Sequence, residues 1–262
     1  MNETTPPKPT ALVTGASMGI GLELARRAAG DGHDVILVAR SGDKLDDLAR
    51  ELAARHGARA TVIAEDLADR GAPARIEARV RDAGLRVDVL VNCAGFGSNG
   101  SYWTNDRDRE LDMIQVNVTT LADLTHRFVT DMVERRRGRI LNVASTAGFV
   151  PGPKMAVYYA SKAFVVSFTE ALAHELRGTG VTATALCPGP VATAFSQVAG
   201  NAHSILFRVG VAKPERVAAA GWRAMQRGRA LCVTGWTNQL AIQGMRFSPR
   251  FVARAVAGLL NS

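Results

Sequence analysis

The amino-acid sequence predicts an α/β fold, with a doubly wound sheet of about seven parallel strands and helices on both of its faces. Short apolar runs alternate with longer segments of helical periodicity through most of the chain, as strands joined by crossover helices do. These runs are continuously apolar, which is typical of parallel strands covered on both faces. A glycine-rich stretch, residues 14–21, separates the first strand from the first helix.

Each element follows from its local pattern. The strands are predicted at residues 10–14, 34–39, 60–64, 87–92, 139–144, 181–187 and 230–234. The helices between them are predicted at residues 19–30, 42–56, 72–83, 107–136, 157–177 and 214–227. In the second helix, for example, Leu45, Leu48 and Leu52 recur at helical spacing. The tail, residues 239–260, is predicted to form one or two short helices separated by Pro249.

We expect a single Rossmann-type domain, residues 10–262, after a flexible arm at residues 1–9, because this length supports one well-buried core. A loop at about residues 190–211 contains apolar residues that could cover a cleft. The C-terminal helical extension, about residues 236–262, is apolar and basic enough to lie on a membrane. Packing on the core or on another subunit is the more common outcome for such a tail.

Composition indicates an ordinary globular protein, with 47% hydrophobic and 21% charged residues. The N-terminus lacks the pattern of a signal peptide, and no apolar run approaches the roughly 18 residues of a spanning helix. We therefore expect a soluble, cytoplasmic protein without a transmembrane segment. Cys93, Cys187 and Cys232 lie singly in apolar segments without metal-ligand spacing, which predicts buried thiols and no metal site.

The net charge of +8 requires anionic partners to be considered. The basic residues are interpreted as dispersed along the chain, with one cluster at Arg135, Arg136, Arg137 and Arg139. Because cations are favoured at helix ends, a solvated end of the preceding helix explains this cluster better than a docking patch for an acidic partner. We expect no nucleic-acid binding, since no basic stripe is evident.

The glycine-rich stretch is the first candidate site, because glycines permit a tight turn and a helix N-terminus favours a pyrophosphate. Its candidate residues are Thr14, Gly15, Ser17, Gly19, Ile20 and Gly21, although the spacing is not the literal GxGxxG. Arg40 directly follows the second strand, at the position where an acidic residue would bind the ribose 2'-hydroxyl of NAD. An arginine there would instead pair with the 2'-phosphate of NADP, helped by Ser17. The alternative is that Arg40 begins a solvated loop.

The second candidate site is the segment from Ser145 to Lys162, which runs from the end of a strand into a helix. Tyr158 and Lys162 are four residues apart, so a helix places both on one face. The lysine charge is expected to lower the pKa of the phenol, which could then exchange a proton near neutral pH.

Together these pieces resemble the short-chain dehydrogenase/reductase family over about residues 10–235. The matching pieces, in chain order, are TGASMGIG at residues 14–21, Asp66-Leu67, Asn92-Cys93-Ala94-Gly95, Asn117, Ser145, Tyr158-x-x-x-Lys162 and Pro188-Gly189-Pro190-Val191-Ala192-Thr193. Seven pieces in order are far more specific than any one of them. Cys93 departs from the family pattern, which usually has Asn there.

The resemblance implies a cofactor site at the ends of several strands. Asp66 and Leu67 would contact the adenine. Asn92 and the backbone of Ala94 and Gly95 would lie along the adenosine ribose. The nicotinamide carboxamide would be held by Pro188, Gly189, Val191 and Thr193. The implied cofactor is NADP(H), given Arg40.

The implied catalytic residues are Asn117, Ser145, Tyr158 and Lys162. Ser145 would polarise a carbonyl and Tyr158 would give it a proton, while Lys162 stabilises the phenolate and binds the nicotinamide ribose. Asn117 would help to place a water that resupplies the proton. Tyr159 lacks the spacing to Lys162 and is interpreted as packing or as a pocket wall.

The implied activity is NADP(H)-dependent hydride transfer between nicotinamide and a carbonyl or secondary alcohol. The apolar residues around the expected cleft favour reduction of an apolar ketone of ketoacyl, steroid-like or aromatic type. The substrate cleft is expected at Phe96, Trp103, Phe149, Val150, Met155 and Phe195, with the loop at about residues 190–211 as its substrate loop. The alternative is that these side chains are only core or lid packing.

Two further expectations concern partners and class. Residues 107–136 and 157–177 resemble the helices through which the family self-associates, so we expect a homo-oligomer. A catalytically silent NADP(H)-binding regulatory protein of the same fold is the alternative function.

Overall fold

The computed structural model describes residues 8–193 and 211–261. It contains one seven-stranded parallel sheet in the order β3-β2-β1-β4-β5-β6-β7. The strands are β1 Thr10–Thr14, β2 Asp34–Ala39, β3 Ala60–Ala64, β4 Val89–Asn92, β5 Gly138–Val143, β6 Val181–Cys187 and β7 Leu231–Val233. The predicted doubly wound α/β fold is confirmed, with five of the seven strands continuously buried or nearly so.

The helices lie on both faces of this sheet. They are α1 Gly19–Gly30, α2 Gly42–His56, α3 Ala72–Asp82, α4 Arg107–Ile114, α5 Leu121–Glu134, α6 Ala156–Glu175, α7 Pro214–Gln226, α8 Trp236–Phe247 and α9 Arg250–Leu260. One core cluster joins the sheet to α1, α2 and α7 through residues such as Leu24, Leu48 and Trp222. A second cluster, on the other face, includes Ile76 of α3 and Leu124 of α5.

The predicted helix at residues 107–136 differs from what is observed. Its two α-helical halves, α4 and α5, are joined by a π-helical segment, Gln115–Thr120, without a break in the chain direction. A π-segment contains one extra residue per turn and is frequent at functional sites. Hydrophobic periodicity does not report such an insertion, because the apolar residues before and after it still face the core.

All seven strands are parallel, so their carboxyl ends lie at one edge of the sheet. Strand order reverses at β1, which has β2 on one side and β4 on the other. In open α/β sheets, ligands bind outside the carboxyl ends at such a reversal point. The fold therefore predicts a ligand site in the loops after β1, β2, β4, β5 and β6.

The two C-terminal helices pack on the core with one side only. Ile242 of α8, Ala257 of α9 and Asn261 are buried. On the outer side Trp236, Leu240, Phe251 and Leu259 are exposed. Within the described residues, no helix is both long and apolar enough to cross a membrane.

The arginine cluster after α5 forms ion pairs and hydrogen bonds with neighbouring residues. Arg135 pairs with Asp88 and Asp131, with N···O distances of 2.9 and 2.8 Å. The Arg136 guanidinium donates to the carbonyl oxygen of Gly178 at 3.1 Å. These contacts support the interpretation of this cluster as a helix end rather than as a docking patch.

Candidate active site

A cavity of about 740 Å³ runs along the carboxyl edge of the sheet. Most residues predicted for the cofactor and catalytic sites line it: Gly15, Ser17, Gly19, Ile20, Gly21, Arg40, Asp66, Leu67, Ala94, Gly95, Ser145, Tyr158, Lys162, Pro188, Gly189, Val191 and Thr193. The fold thus brings together in one space residues that are up to 178 positions apart in the chain.

The glycine-rich turn lies at one end of this cavity and is closely packed. Gly15 has φ of +68°, and a Cβ there would come within 3.0 Å of the Ala94 backbone. A Cβ on Gly21 would overlap the carbonyl oxygen of Gly15. At the start of α1, no side chain caps the helix. The first backbone N–H groups of α1 are therefore available to an anion such as a pyrophosphate.

Thr14 lies behind the turn rather than in the cavity. Its hydroxyl oxygen accepts hydrogen bonds from the backbone N–H groups of Cys93 at 3.0 Å and Ala94 at 3.1 Å. The same hydroxyl donates to the carbonyl oxygen of Val91 at 3.3 Å. Thr14 therefore holds the end of β1 against the loop after β4, and this loop forms part of the cavity wall.

The side chain of Asn92 does not lie in the cavity, in contrast to the expectation that Asn92 lies along the adenosine ribose. Asn92 is buried, and its amide nitrogen donates to Asn142 at 2.9 Å and to Thr125 at 3.0 Å. The reason is strand alternation, since the last residue of β4 projects to the face covered by α5. Asn92 joins β4, β5 and α5 and thereby fixes the loop that follows it.

Arg40 and Asp66 lie at the ends of β2 and β3, on the same side of the cavity. Arg40 is exposed, and among the described residues no carboxylate pairs with it. Asp66 accepts a hydrogen bond from the backbone N–H of Ala68 at 3.0 Å, while Leu67 is buried. A cation without an acidic partner at this position suits a ligand that carries a phosphate there.

Ser145 follows β5, and Tyr158 and Lys162 lie on successive turns of α6. The Ser145 hydroxyl oxygen accepts from the backbone N–H of Ala147 at 3.1 Å and is hydrogen-bonded to the phenol of Tyr158. The Lys162 ammonium donates to the carbonyl oxygen of Val143 at 2.8 Å. Its nitrogen lies 5.9 Å from the centre of the Tyr158 ring.

The pKa of Tyr158 differs from the prediction. Burial raises it to about 12, and the hydrogen bond to Ser145 offsets only part of this effect. Burial also lowers the pKa of Lys162 to about 8. In this structure the net shift is upward, because desolvation disfavours the charged form of both groups and outweighs the lowering expected from the lysine charge.

Asn117 lies in the π-helical segment and is fully buried. Its amide nitrogen donates to the carbonyl oxygen of Phe96 and to the hydroxyl of Ser161, both at 3.0 Å, and its oxygen accepts from the Phe96 N–H at 3.1 Å. A Cβ on Gly95 would lie 2.9 Å from this oxygen and 3.4 Å from the Lys162 nitrogen. Asn117 thus lies next to Lys162 and holds the loop after β4 against α6.

The predicted substrate residues divide into three groups. Phe96, Phe149, Val150 and Met155 line the cavity. Phe195 lies outside the described residues. The expectation for Trp103 is wrong, because its side chain is 85% exposed and lies outside the cavity.

Tyr159 is buried against Met155 and Ala257, as expected of a packing residue. Its hydroxyl donates to the side-chain oxygen of Asn261 at 3.1 Å.

Sequence reasoning missed the contribution of the C-terminal helices to the cavity. Ile242 and Met245 of α8 and Ala257 of α9 line it. The spacing of Ile242 and Met245 marks an inward face of a helix, but nothing local to the sequence indicates what that face covers.

Within the described residues, no group of three or more His, Cys, Asp and Glu side chains could hold a metal ion. Cys93 is half-buried at the cavity wall, and burial raises the pKa of its thiol to about 12. Its thiol is therefore neutral at physiological pH.

A doubly wound parallel sheet with a glycine-rich turn, and with a tyrosine and a lysine at its carboxyl edge, defines a class of nucleotide-cofactor-dependent oxidoreductases. Residues 9–203 match the family model described as short chain dehydrogenase. The chain belongs to the short-chain dehydrogenase/reductase family, whose members use nicotinamide cofactors.

Two curated relatives illustrate the match. The very-long-chain 3-oxoacyl-CoA reductase of Anas platyrhynchos is 37% identical over 194 residues, which are 72% of this chain and 61% of that relative. The chain thus spans less than two thirds of that relative's length. A protein of the granaticin polyketide synthase of Streptomyces violaceoruber, named as a ketoacyl reductase, is 40% identical over 210 residues, covering 78% of this chain and 76% of the relative.

Two solved structures share the fold closely. A short-chain dehydrogenase from Sphingobium yanoikuyae in complex with NADPH has a TM-score of 0.81 and 30% identity, covering 91% of this chain and 93% of that one. A family member from Burkholderia phymatum in complex with NAD has a TM-score of 0.80 and 27% identity, covering 90% and 92%. The family fold therefore accommodates both cofactors.

Proposed function

We propose that this chain is an NADP(H)-dependent reductase of apolar ketones, with 3-oxoacyl thioesters as the preferred class. The observation that carries the proposal is the pair of Ser145 and Tyr158, hydrogen-bonded to each other beside Lys162 in the wall of the large cavity. Two hydroxyl groups held in this way can donate hydrogen bonds to one carbonyl oxygen.

The residues around the cavity suit a nicotinamide dinucleotide. The tight turn at Gly15 and the uncapped start of α1 suit a pyrophosphate, and Arg40 suits a 2'-phosphate. When bound, the cofactor would supply the hydride. Lys162 would bind its nicotinamide ribose, and Pro188, Gly189, Val191 and Thr193 would hold the carboxamide.

The chain's own residues would supply the proton and stabilise the charge. Ser145 would donate a hydrogen bond to the substrate oxygen as negative charge develops on it. Tyr158 would transfer its phenolic proton to that oxygen. The ammonium of Lys162 would then stabilise the phenolate that remains. Asn117 would hold the loop after β4 against α6, the helix that carries Lys162, through its hydrogen bonds to Phe96 and Ser161.

The substrate class follows from the cavity wall. An apolar surface forms part of this wall, made by Phe96, Phe149, Val150 and Met155 together with Ile242 and Met245 from α8. The name of the Anas platyrhynchos relative also refers to a 3-oxoacyl thioester.

We propose that the functional unit is a homo-oligomer built through α4, α5 and α6, and that it acts in the cytoplasm.

Steady-state NADPH oxidation against a panel of 3-oxoacyl thioesters, steroids, quinones and small ketones tests the function. Tyr158→Phe, which removes one hydroxyl and keeps the ring, is expected to reduce kcat by at least about 1,000-fold because the proton donor is lost. NADPH affinity, measured by fluorescence titration, is expected to remain within about threefold. Near-native kcat in Tyr158→Phe would disprove the mechanism.

The alternative is a catalytically silent NADP(H)-binding regulator. It is weakened by the presence of Ser145, Tyr158 and Lys162 together in the cavity wall, since nothing in such a regulator requires all three. NADPH binding with no turnover across the whole panel would support the regulator and overturn the reductase.

A further inference from the structure

The net positive charge of the chain is concentrated after Glu215. Residues 216–262 contain seven arginines and no lysine, aspartate or glutamate. With 32 basic and 24 acidic residues in all, the rest of the chain has 25 basic and 24 acidic residues, so seven of the eight net charges lie in this segment. The basic residues themselves are spread along the chain, and the absence of acidic residues is what makes this segment strongly positive.

Four of these arginines line one cleft of about 630 Å³, which we call the arginine cleft. Arg216, Arg223 and Arg227 are seven and four residues apart, so they share one face of α7 and its end. Arg229 follows at the turn before β7. All four are exposed, and none pairs with a carboxylate among the residues that the structure describes.

Ordinary helix chemistry does not explain this arrangement. A helix C-terminus favours cations and accounts for Arg223 and Arg227. Arg216, however, lies in the first turn of α7, where the helix dipole disfavours a cation. Like charges on one helix face also repel each other. A bound anion would remove both penalties.

The first turn of α8 adds donors to the same cleft. Gly235 and Thr237 line the cleft, and no side chain caps this helix. Backbone N–H groups at a helix N-terminus together with guanidinium groups are the donors that recognise phosphate.

The arginine cleft adjoins the active-site cavity. Pro190 and Asn238 line both spaces. Asn238 is held by a hydrogen bond from its amide to the carbonyl oxygen of Thr234 at 2.8 Å, and it packs on Gly189, where a Cβ would meet it. The two spaces therefore share one wall.

We propose that the arginine cleft binds the phosphate groups of the carrier to which the acyl substrate is attached, a phosphorylated thioester carrier of the coenzyme A type. This rests on the proposed function, because it assigns the two ends of one substrate to two adjoining spaces. The phosphates lie in the arginine cleft, and the acyl chain occupies the apolar cavity beyond Asn238.

Binding is tested first, by calorimetry with pyrophosphate and coenzyme A on protein saturated with NADP⁺, so that the turn at residues 14–21 does not compete. Arg223→Gln/Arg227→Gln is expected to weaken both ligands at least tenfold. The matched control, Arg250→Gln/Arg254→Gln, removes the same charge from exposed positions of α9 and leaves affinity unchanged. Equal loss in both double variants, or no binding to the unaltered protein, would overturn the site.

Kinetics test the role in substrate binding. One 3-oxoacyl chain is offered as the coenzyme A thioester and as the N-acetylcysteamine thioester, which has no phosphate. Arg223→Gln/Arg227→Gln is expected to raise KM at least tenfold for the first only, with kcat retained. Unchanged KM would overturn the carrier role. Because calorimetry requires no turnover, a failure of the reductase proposal is recognised separately.

Larger phosphate-bearing partners are the remaining outcomes. Co-sedimentation with phosphatidylglycerol vesicles and a gel shift with RNA are measured on the same variants. Binding to either that depends on Arg223 and Arg227, without binding of coenzyme A, would overturn the proposal in favour of that partner.

Discussion

At the scale of single residues, desolvation determines the protonation states of the two titratable groups in the site. Lys162 is buried and Tyr158 is partly buried, and desolvation shifts the pKa of each in the direction that favours its neutral form. A phenol with a pKa of about 12 keeps its proton throughout the neutral range. The residue is therefore ready to donate a proton, and ketone reduction is the direction that needs this donor.

The pKa of Lys162 predicts the pH dependence of reduction. The ammonium is present below a pKa of about 8 and is lost above it, so the phenolate formed on proton transfer loses its stabilising charge at high pH. We expect kcat/KM for ketone reduction to fall above about pH 8, measured between pH 6 and 10. Ser145→Ala should lower kcat/KM and keep the same break point. A profile that is flat to pH 10 would contradict the role of Lys162.

Arg40 determines cofactor preference in our proposal, and a single change tests it. Arg40→Asp replaces a guanidinium that suits a 2'-phosphate by a carboxylate that suits a 2'-hydroxyl. The ratio of kcat/KM for NADPH to that for NADH is expected to fall by about 10- to 100-fold, the value of one charge-assisted contact. Arg81→Asp, an exposed change on α3, is the control and should leave the ratio unchanged.

At the scale of elements, continuous apolar runs predicted the strands well because a parallel strand covered on both faces has no polar side. The helices followed from their own periodicity. The π-helical segment at Gln115–Thr120 did not, since one inserted residue changes neither composition nor the facing of its neighbours. The direction of the Asn92 side chain was also missed, because it depends on its partners Thr125 and Asn142, 33 and 50 residues away.

The role of the C-terminal helices depends on contacts between residues that are still farther apart in the sequence. Tyr159 and Asn261 are 102 residues apart, and their hydrogen bond joins α6 to the residue that follows α9. Asn261 also donates to the carbonyl oxygen of Pro153 at 3.0 Å. Local sequence patterns predict that these helices exist, but they do not identify the cavity that the helices cover.

This anchor predicts a coupled effect on stability. Asn261→Ala leaves the buried Tyr159 hydroxyl without its acceptor and is expected to lower the free energy of unfolding by about 1–3 kcal/mol. Tyr159→Phe removes the hydroxyl itself. In the double variant the loss of unfolding free energy should be about 1 kcal/mol smaller than the sum of the two single losses. Urea unfolding of all four proteins, as a double-mutant cycle, measures this difference. Strict additivity would show that the hydrogen bond contributes nothing.

At the scale of the whole molecule, the sheet has one helical layer on each face and its ligand cavity along one edge. The cavity takes residues from the loops that follow β1 to β6 and from both C-terminal helices. A ligand bound there contacts both halves of the sheet at once. Its binding energy is therefore added to the stability of the whole fold rather than to one segment.

This arrangement predicts how the cofactor stabilises the fold. At 100 times its Kd, NADP⁺ should raise the free energy of unfolding by about 2.7 kcal/mol and the Tm by about 5–10 °C. Tyr158→Phe should show the same rise, because the phenol is not needed for binding. Gly21→Ala should show much less, since its Cβ would overlap the carbonyl oxygen of Gly15 and open the turn.

Gly244→Ala is the matched control, because a Cβ at this position of α8 meets nothing within 4 Å. Its own Tm should be equal to or slightly above that of the unaltered protein, since alanine is the better helix former, and its rise with NADP⁺ should be complete. The measurement is differential scanning calorimetry with and without cofactor. An equal rise in Gly21→Ala and Gly244→Ala would show that the glycine-rich turn does not hold the cofactor.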